Sequence, residues 1–542
     1  MPKANVKQIT QKNKFLTGNN ANNINNWQDI ANFCLPRKAW MNSMRLNAQP
    51  MAFNFLYDST AILCAQKAVS GFHSNLTNQA TEWFGLTLYD RSKMSKGLET
   101  WFKKAVKTML AVMSQTNLYN VLKEFYLDYV VFGTGSILTQ KHPKSKVSYM
   151  SIPLQQLNIV EDDEEKVIET YNNFRLSALQ AYGKWGEKCG KSILDAYHND
   201  KPFEMFEFIH YVGPRGNRDP NKIDNMNMRY ESVWISKKDN HIIEESGFNR
   251  YPYQTGRFWK DNTDVFGFSP AMNVLADIKL MNACVRTWLR RAMKEADPPL
   301  SVPSRGHVLP LNLNPAAMNY RDPSLTQETL HAIGVATGNF SITEKFLEYI
   351  RHNIEQAFFV DVFQSFSMLQ KNMTVPEVQK RIQEGMVLLG PIVSQCQYEV
   401  LTPLVLNTFF ILLEDGTLGD VPEELYDNEF GPVYESPLSK AARESELQSM
   451  DGFLMRTGQM SQVFPEAKLV VNPVKTVNWI AQQMAIDPSI LNSDQEVKQI
   501  MSKMQQMQQA QMGLQQAEQG AKVVKDGATA EHKLAQAKEV GA

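Results

Sequence analysis

The sequence predicts an α+β chain, mainly helical and built from several domains. Three observations carry that reading. Apolar residues keep a 3.6-residue period through 97–131 and again in long runs beyond residue 270. Between those regions, 128–175 and 203–254 hold β-type segments, among them Phe206–Val212, Arg229–Ser236 and His241–Phe248, separated by Gly, Pro and Asn turns. The length of 542 residues calls for roughly two to four domains, and 43% hydrophobic with 21% charged residues is enough apolar material for sizeable cores.

In chain order, the first 26 residues are rich in Asn and Lys and lack periodicity, so they read as a flexible arm. A short helix over Asn26–Pro36 follows, with Trp27, Ile30, Ala31 and Phe33 apolar, and then helical segments over 55–80 and 97–131. Leu98, Phe102, Val106, Met109, Leu110 and Met113 mark the buried face of the second. After the β-rich stretch a long helix runs from Pro270 to Ala296 and is stopped by Pro298-Pro299. Residues 298–340 form a Pro-, Asn- and Gly-rich insert. A second helix covers 342–363, and a polar stretch from Gln364 to Asn372 separates it from a third. That third helix starts at Thr374, where Thr374-Val-Pro-Glu377 has the form of a capping box, and Gly390-Pro391 predicts a kink within it. The last 50 residues are Gln-, Met- and Ala-rich, with a loose heptad at Val497, Ile500, Met504, Met507 and Leu514 that decays into a Lys/Ala/Gly tail.

Charge and cysteine content exclude several function classes. With 56 basic and 57 acidic side chains, neither a strongly basic polymer binder nor a solvating acidic chain fits. The charge is uneven: residues 1–50 hold seven cations against Asp29 alone, while 414–439 hold eight acids and no base. Such blocks pair between copies of a chain or, more commonly, form solvated surface. The five cysteines are scattered with no CxxC pair, which argues against a disulfide framework or a zinc ribbon and for a reducing compartment. The best apolar stretch, Leu401–Leu413, falls short of the ~20 residues a spanning helix needs, and no apolar core follows the N-terminal lysines. A soluble intracellular product with no membrane partner is expected.

Catalytic motifs are mostly decoys. Gly186-Glu-Lys-Cys-Gly190-Lys191-Ser192 has three residues between its glycines where a phosphate-cradling loop needs four, and it follows an amphipathic helix rather than a strand. The nine histidines include no HExxH, HxH or Cys/His cluster. Gly133-Thr-Gly135-Ser136 lacks the spacing of a nucleophile elbow and reads as a strand or turn glycine pair. The acids from Glu161 to Glu165 point in alternating directions and mark an exposed hairpin. An enzyme is therefore not expected, nor a cofactor.

One constellation exceeds background. On the Pro270–Ala296 helix, Lys279, Arg286, Arg290 and Lys294 are spaced 7, 4 and 4 apart, within about 80° of one another at 100° per residue. Ile278, Met281, Val285, Trp288, Leu289 and Ala292 occupy the other side. A rigid basic stripe contacts phosphates without reading bases, because long cations neutralise backbone charge whatever the sequence. An ordinary solvated face, or ion pairs to a neighbouring copy through acids such as Glu348 or Glu355, are the competing readings. Gln370, Lys371 and Asn372, at the tip of the polar stretch, form a hydrogen-bonding loop or a plain interhelical turn.

Several ordered blocks resemble a known family. They are Trp27-Gln-Asp-Ile-Ala-Asn-Phe-Cys-Leu-Pro36, Tyr57-Asp-Ser-Thr60, Val69–Thr77 with Trp83-Phe84, Phe132-Gly-Thr-Gly135, Arg250-Tyr-Pro-Tyr253, Val265–Met272 with Leu275–Leu280, Ala296–Leu300, Thr374–Glu377, Leu389-Gly-Pro391 and Ser436-Pro-Leu438. From about residue 25 to 500 the chain resembles the portal, or head-to-tail connector, of short-tailed T7-like bacteriophages. Gln79 stands where that family more often has proline, and Val375-Pro376 where it more often has Ala-Thr or similar.

The resemblance implies the phage portal fold with wing, stem, clip and crown, assembled as a cyclic ring of about twelve subunits at one capsid vertex. Transferred to this chain, 1–26 is the arm, 27–267 the wing, 268–297 the first stem helix, 298–340 the clip and 341–363 the second stem helix. The channel loop is 364–374, the kinked long helix and return to the wing 375–438, the crown 439–512, and the frayed tail 513–542. Lys279, Arg286, Arg290, Lys294, Gln370, Lys371 and Asn372 would meet sequence-independent double-stranded DNA. Arg305, His307 and Arg321 would face partners in the clip. Terminase, a tail adaptor, and capsid and scaffold proteins are the implied partners. The virion, after assembly in host cytoplasm, is the implied location. A virion scaffold or internal core protein is the alternative reading.

Overall fold

The computed structural model describes residues 5–41, 55–90, 93–222, 224–296, 300–301, 324, 331–332, 340–368, 375–434, 437–464, 471–483, 500 and 502–503. Two compact units divide the chain, Met1–Ala442 and Arg443–Ala542. The opening elements are α1 (Val6–Asn19), α2 (Ala21–Cys34), α3 (Thr60–Leu76), β1 (Phe84–Leu88), α4 (Lys96–Gln115) and α5 (Leu118–Phe132). Next come β2 (Thr134–His142), β3 (Lys146–Ile152), β4 (Leu157–Glu161), β5 (Val167–Ser177), α6 (Ala178–Trp185) and α7 (Lys191–His198). They are followed by β6 (Met205–Pro214), β7 (Tyr230–Ser236), β8 (His241–Phe248) and β9 (Tyr253–Arg257). The helical second half has α8 (Pro270–Asn273), α9 (Leu275–Ala296), the short pair β10 (Leu300–Ser301) and β11 (His331–Ala332), α10 (Phe340–Ala357) and α11 (Val360–Met368). It closes with α12 (Val375–Cys396), α13 (Thr402–Glu414), β12 (Phe430–Tyr434), α14 (Pro437–Val463) and α15 (Pro473–Gln483).

The five-stranded antiparallel sheet runs β4-β5-β6-β7-β8. Both of its faces are covered, because apolar residues occupy odd and even positions alike. On one face Phe174, Phe206, Phe208 and Trp234 pack with Ala178, Ala181 and Ile193 of α6 and α7. On the other, Tyr171, Ile209, Tyr211, Val233 and Ile235 pack with Ile9 of α1. This corrects the expectation of a flexible arm over 1–26. The amides that make that segment look disordered are the groups that anchor it. Asn13 donates to Asn173 at 2.6 Å, Asn158 donates to Asn13 at 2.8 Å, Asn20 donates to Asn158 at 2.8 Å, and Lys12 pairs with Glu169 at 2.7 Å.

The largest core is helical. α3 and α5 pack together through Phe72, Tyr126 and Tyr129, and α4 buries Leu98, Phe102, Val106, Met109 and Met113, the face the periodicity predicts. The 97–131 segment is two helices, broken at Thr116-Asn117, and the 128–175 region turns to strand only at Thr134. Gly133 makes that switch at φ +80°. A Cβ there would collide with the Gly267 carbonyl, and one on Gly267 with the Gly133 carbonyl, so two backbones touch where only glycine fits. The three-stranded sheet β3-β2-β9 lies over α5.

Gly390-Pro391, where a kink is expected, lies inside α12. A second irregularity follows, because the helix passes into α13 through a π turn at Gln397–Leu401. Pro403 lacks the N–H that would bond the Glu399 carbonyl, which favours a wider turn immediately before it. By length and composition, Val387–Glu414 is one helical run apolar enough to cross a membrane. Its Leu389, Ile392, Cys396, Val400, Leu401, Leu404, Val405, Phe409 and Leu412 belong to the main core. Leu401–Leu413 is only its second half, because Ser394, Gln395, Gln397 and Glu399 set the first half apart in sequence but not in the helix.

Candidate nucleic-acid interface

The predicted first long helix is interrupted near its start. Ser269 caps α8 by accepting from Met272 N–H at 3.1 Å, Pro270 occupies the first turn, and Val274 separates α8 from α9. Only Ile278 and Met281 of α9 are fully buried. Trp288, expected on the apolar side, is 41% exposed, and Met293 is 67% exposed, so the second half of α9 stands away from the core.

The four stripe residues fall into two groups. Lys279 is exposed but tied to Asp29 of α2 at 2.8 Å. Arg286, Arg290 and Lys294 are exposed on the same face, and Arg290 and Lys294 have no ion-pair partner among the described residues. Arg291, which the spacing did not single out, pairs with Glu295 at 3.0 Å. The Arg286 guanidinium carbon lies 5.7 Å from the centre of the Tyr57 ring. Gln370, Lys371, Asn372, Arg305, His307 and Arg321 lie outside the described residues, as does the capping box at Thr374.

α10 ends at Ala357, and Phe359 takes a left-handed φ of 57° before α11 begins. The single helix expected over 341–363 is therefore two, and α11 extends to Met368, into the segment read as a loop from Gln364. Buried Phe358, Val360 and Phe363 explain the break, since turning the chain there seats all three in the core.

The remaining candidates are structural. The false phosphate loop is a short 3-10 turn, Gly186–Cys189, and the Asp239 carboxylate already occupies the start of α7, accepting from Ser192 N–H at 3.2 Å and from the Ser192 hydroxyl. The acidic run does form the β4–β5 hairpin turn, but its first member has a role that sequence reasoning missed. Arg257, 3% exposed, donates through Nη1 to Glu161 at 2.7 Å, through Nε to Glu399 at 2.8 Å and through Nη2 to the Glu165 carbonyl at 2.5 Å. Lys260 reaches Glu161 at 3.3 Å. Burial pushes the Glu399 carboxyl up from its ordinary value, and Arg257 pulls it back. No sequence motif signals this cluster, because its members lie 96 and 142 residues apart.

All five cysteines are free. Burial pushes the Cys34 and Cys64 thiols up to about 12, which leaves little thiolate for chemistry. Among the described residues no three His, Cys, Asp or Glu side chains are placed to hold a metal ion. A cleft of about 80 Å³, lined in part by Thr17, Asn20, Trp27, Asn158 and Phe208, is well below the ~300–1,000 Å³ of small-molecule sites.

The body is mixed and mainly helical, with a cation-bearing helix, α9, standing off its core. The sequence profile of the bacteriophage head to tail connecting protein family matches residues 6–491, and the chain belongs to that family. It is 24% identical over 495 residues to the "Probable portal protein" of Bordetella phage BPP-1, covering 90% of this chain and 89% of the relative. It is 23% identical over 480 residues to the "Portal protein" of Salmonella phage epsilon15, covering 88% and 86%. The chain is a component of the phage head with a portal role at the capsid vertex. The scaffold or internal-core reading is set aside by this match.

Proposed function

We propose that about twelve copies of this chain close into a ring whose central channel passes double-stranded DNA during packaging and ejection. The chain carries no chemistry of its own in this reading. The observation that carries it is the run Arg286, Arg290, Lys294, three exposed cations spaced four residues apart on α9. Repeated around a ring, such a run becomes stacked rings of positive charge that meet phosphates regardless of sequence. Lys279 contributes less, because Asp29 already balances its charge. Gln370, Lys371 and Asn372 would add hydrogen bonds to the same polymer. Residues 298–340, with Arg305, His307 and Arg321, would dock terminase first and the tail adaptor later, and 439–512 would form the crown inside the head. Capsid and scaffold proteins would surround the ring during assembly in the host cytoplasm.

Native mass spectrometry with negative-stain imaging tests the ring: a closed assembly near 740 kDa, about twelve times the 61.8 kDa chain, with a central hole is the expected result. An Arg286→Gln, Arg290→Gln variant should keep its rings and lose packaging yield. Unchanged yield and salt sensitivity would refute the channel contact. Lost rings would assign the stripe to ion pairs between copies, with the exposed Glu348 of α10 as the first acid to examine.

A further inference from the structure

The stripe has a neighbour that its own helix does not supply. Asn282 lies one turn before Arg286, and its side-chain amide makes three hydrogen bonds to the backbone of residues 55–58. Its Oδ1 accepts from Tyr57 N–H at 2.7 Å and from Asp58 N–H at 3.3 Å. Its Nδ2 donates to the Phe55 carbonyl at 2.9 Å. The segment is fixed at two further points. The Phe55 ring meets Phe33 edge-on at 6.0 Å, and the Asp58 carboxylate accepts from the Thr60 N–H and hydroxyl at the start of α3, both at 3.0 Å. A stretch without regular secondary structure is thus held rigidly against α9.

Tyr57, between these anchors, is 36% exposed. Its ring centre lies within the roughly 6 Å at which an aromatic face attracts a guanidinium. A free arginine side chain samples many rotamers, and ordering it on binding costs entropy. A ring carried on a backbone held by three hydrogen bonds removes part of that cost in advance. We propose that Tyr57, pinned to α9 by Asn282, is a positioning residue that holds the Arg286 guanidinium for contact with a DNA phosphate. This rests on the DNA-channel reading and adds a residue to its site.

The test uses the full chain, assembled, and a short blunt-ended DNA duplex titrated at several salt concentrations. Tyr57→Leu keeps bulk but removes the π face, and Tyr57→Phe keeps the face. Tyr57→Leu should weaken binding roughly two- to five-fold, the worth of one exposed cation–π contact, and move the salt slope toward that of Arg286→Gln. Tyr57→Phe should bind as the parent does. In an Arg286→Gln background Tyr57→Leu should add nothing, because the two act as one unit. Parent-like binding by Tyr57→Leu, or additive losses in the double variant, overturns the proposal while leaving the channel reading intact. If Arg286→Gln, Arg290→Gln itself leaves the salt slope unchanged, the channel reading fails and this inference fails with it.

Discussion

Arg257 and Arg286 are the same side chain put to opposite uses. Arg257 sits inside the β-rich body, with Glu399, Glu161 and the Glu165 carbonyl folded over it. Arg286 stands on α9 with an aromatic ring on one side and, among the described residues, no acid bound to it. Acids supplied from distant parts of the chain turn one cation into a fastener. Their absence leaves the other available to a partner. Formal charge in the sequence does not separate the two; what matters is which elements converge on each residue.

The sharpest way to probe that contrast is to remove each cation. Arg257→Met should cost about 3–5 kcal/mol, because it strands the buried Glu399 carboxylate without a partner. Urea denaturation of the assembled protein, read as a shift in midpoint at constant slope, measures it. Adding Glu399→Leu should recover much of the loss, since a buried pair replaced on both sides is often nearly neutral. A single variant as stable as the parent would show that Arg257 is not the fastener.

A second buried group in the same body responds to pH. His210 is buried between the Tyr253 hydroxyl at 2.6 Å and the Ser232 hydroxyl at 2.9 Å. It stacks on Trp234 with ring centres 3.8 Å apart. Burial, with a smaller push from Lys184, lowers its pKa from 6.5 to about 3. The unfolded chain therefore binds a proton below about pH 6.5 that the folded chain refuses, and stability falls as pH drops from about 6.5 toward 3. At pH 5 the loss from this group is about 2 kcal/mol. A His210→Gln variant should show a shallower decline between pH 7 and 5 than the parent. Equal declines would place the acid sensitivity elsewhere.

The smallest effect belongs to α9. Arg286→Gln, Arg290→Gln should change the unfolding free energy by no more than ~0.5 kcal/mol, as expected of exposed positions. A large loss would erase the contrast, because it would make Arg286 a structural residue like Arg257.

Local signals in the sequence located much of this fold. The α4 face was legible because Leu98, Phe102, Val106, Met109 and Met113 repeat within one helix, and the α9 stripe for the same reason. What stayed hidden depends on partners far away in the chain. α1 reads as a polar arm until Asn158 and Asn173 accept and donate to its amides. The break at Phe359 follows from where Phe358, Val360 and Phe363 find a core, which no window on 341–363 contains. Of the candidate site, Arg286 and Arg290 were visible by spacing. The role of Tyr57 is hidden from any local pattern, since its link to α9 spans 225 residues.

The pairing of β1 with β12 sets a timetable for synthesis. Phe84 is opposite Tyr434 and Leu88 opposite Phe430, so β1 leaves the ribosome well before this strand partner is made. At roughly 5–20 residues per second that interval is on the order of tens of seconds, during which a hydrophobic strand waits with both edges open. Such an edge invites pairing with another nascent chain.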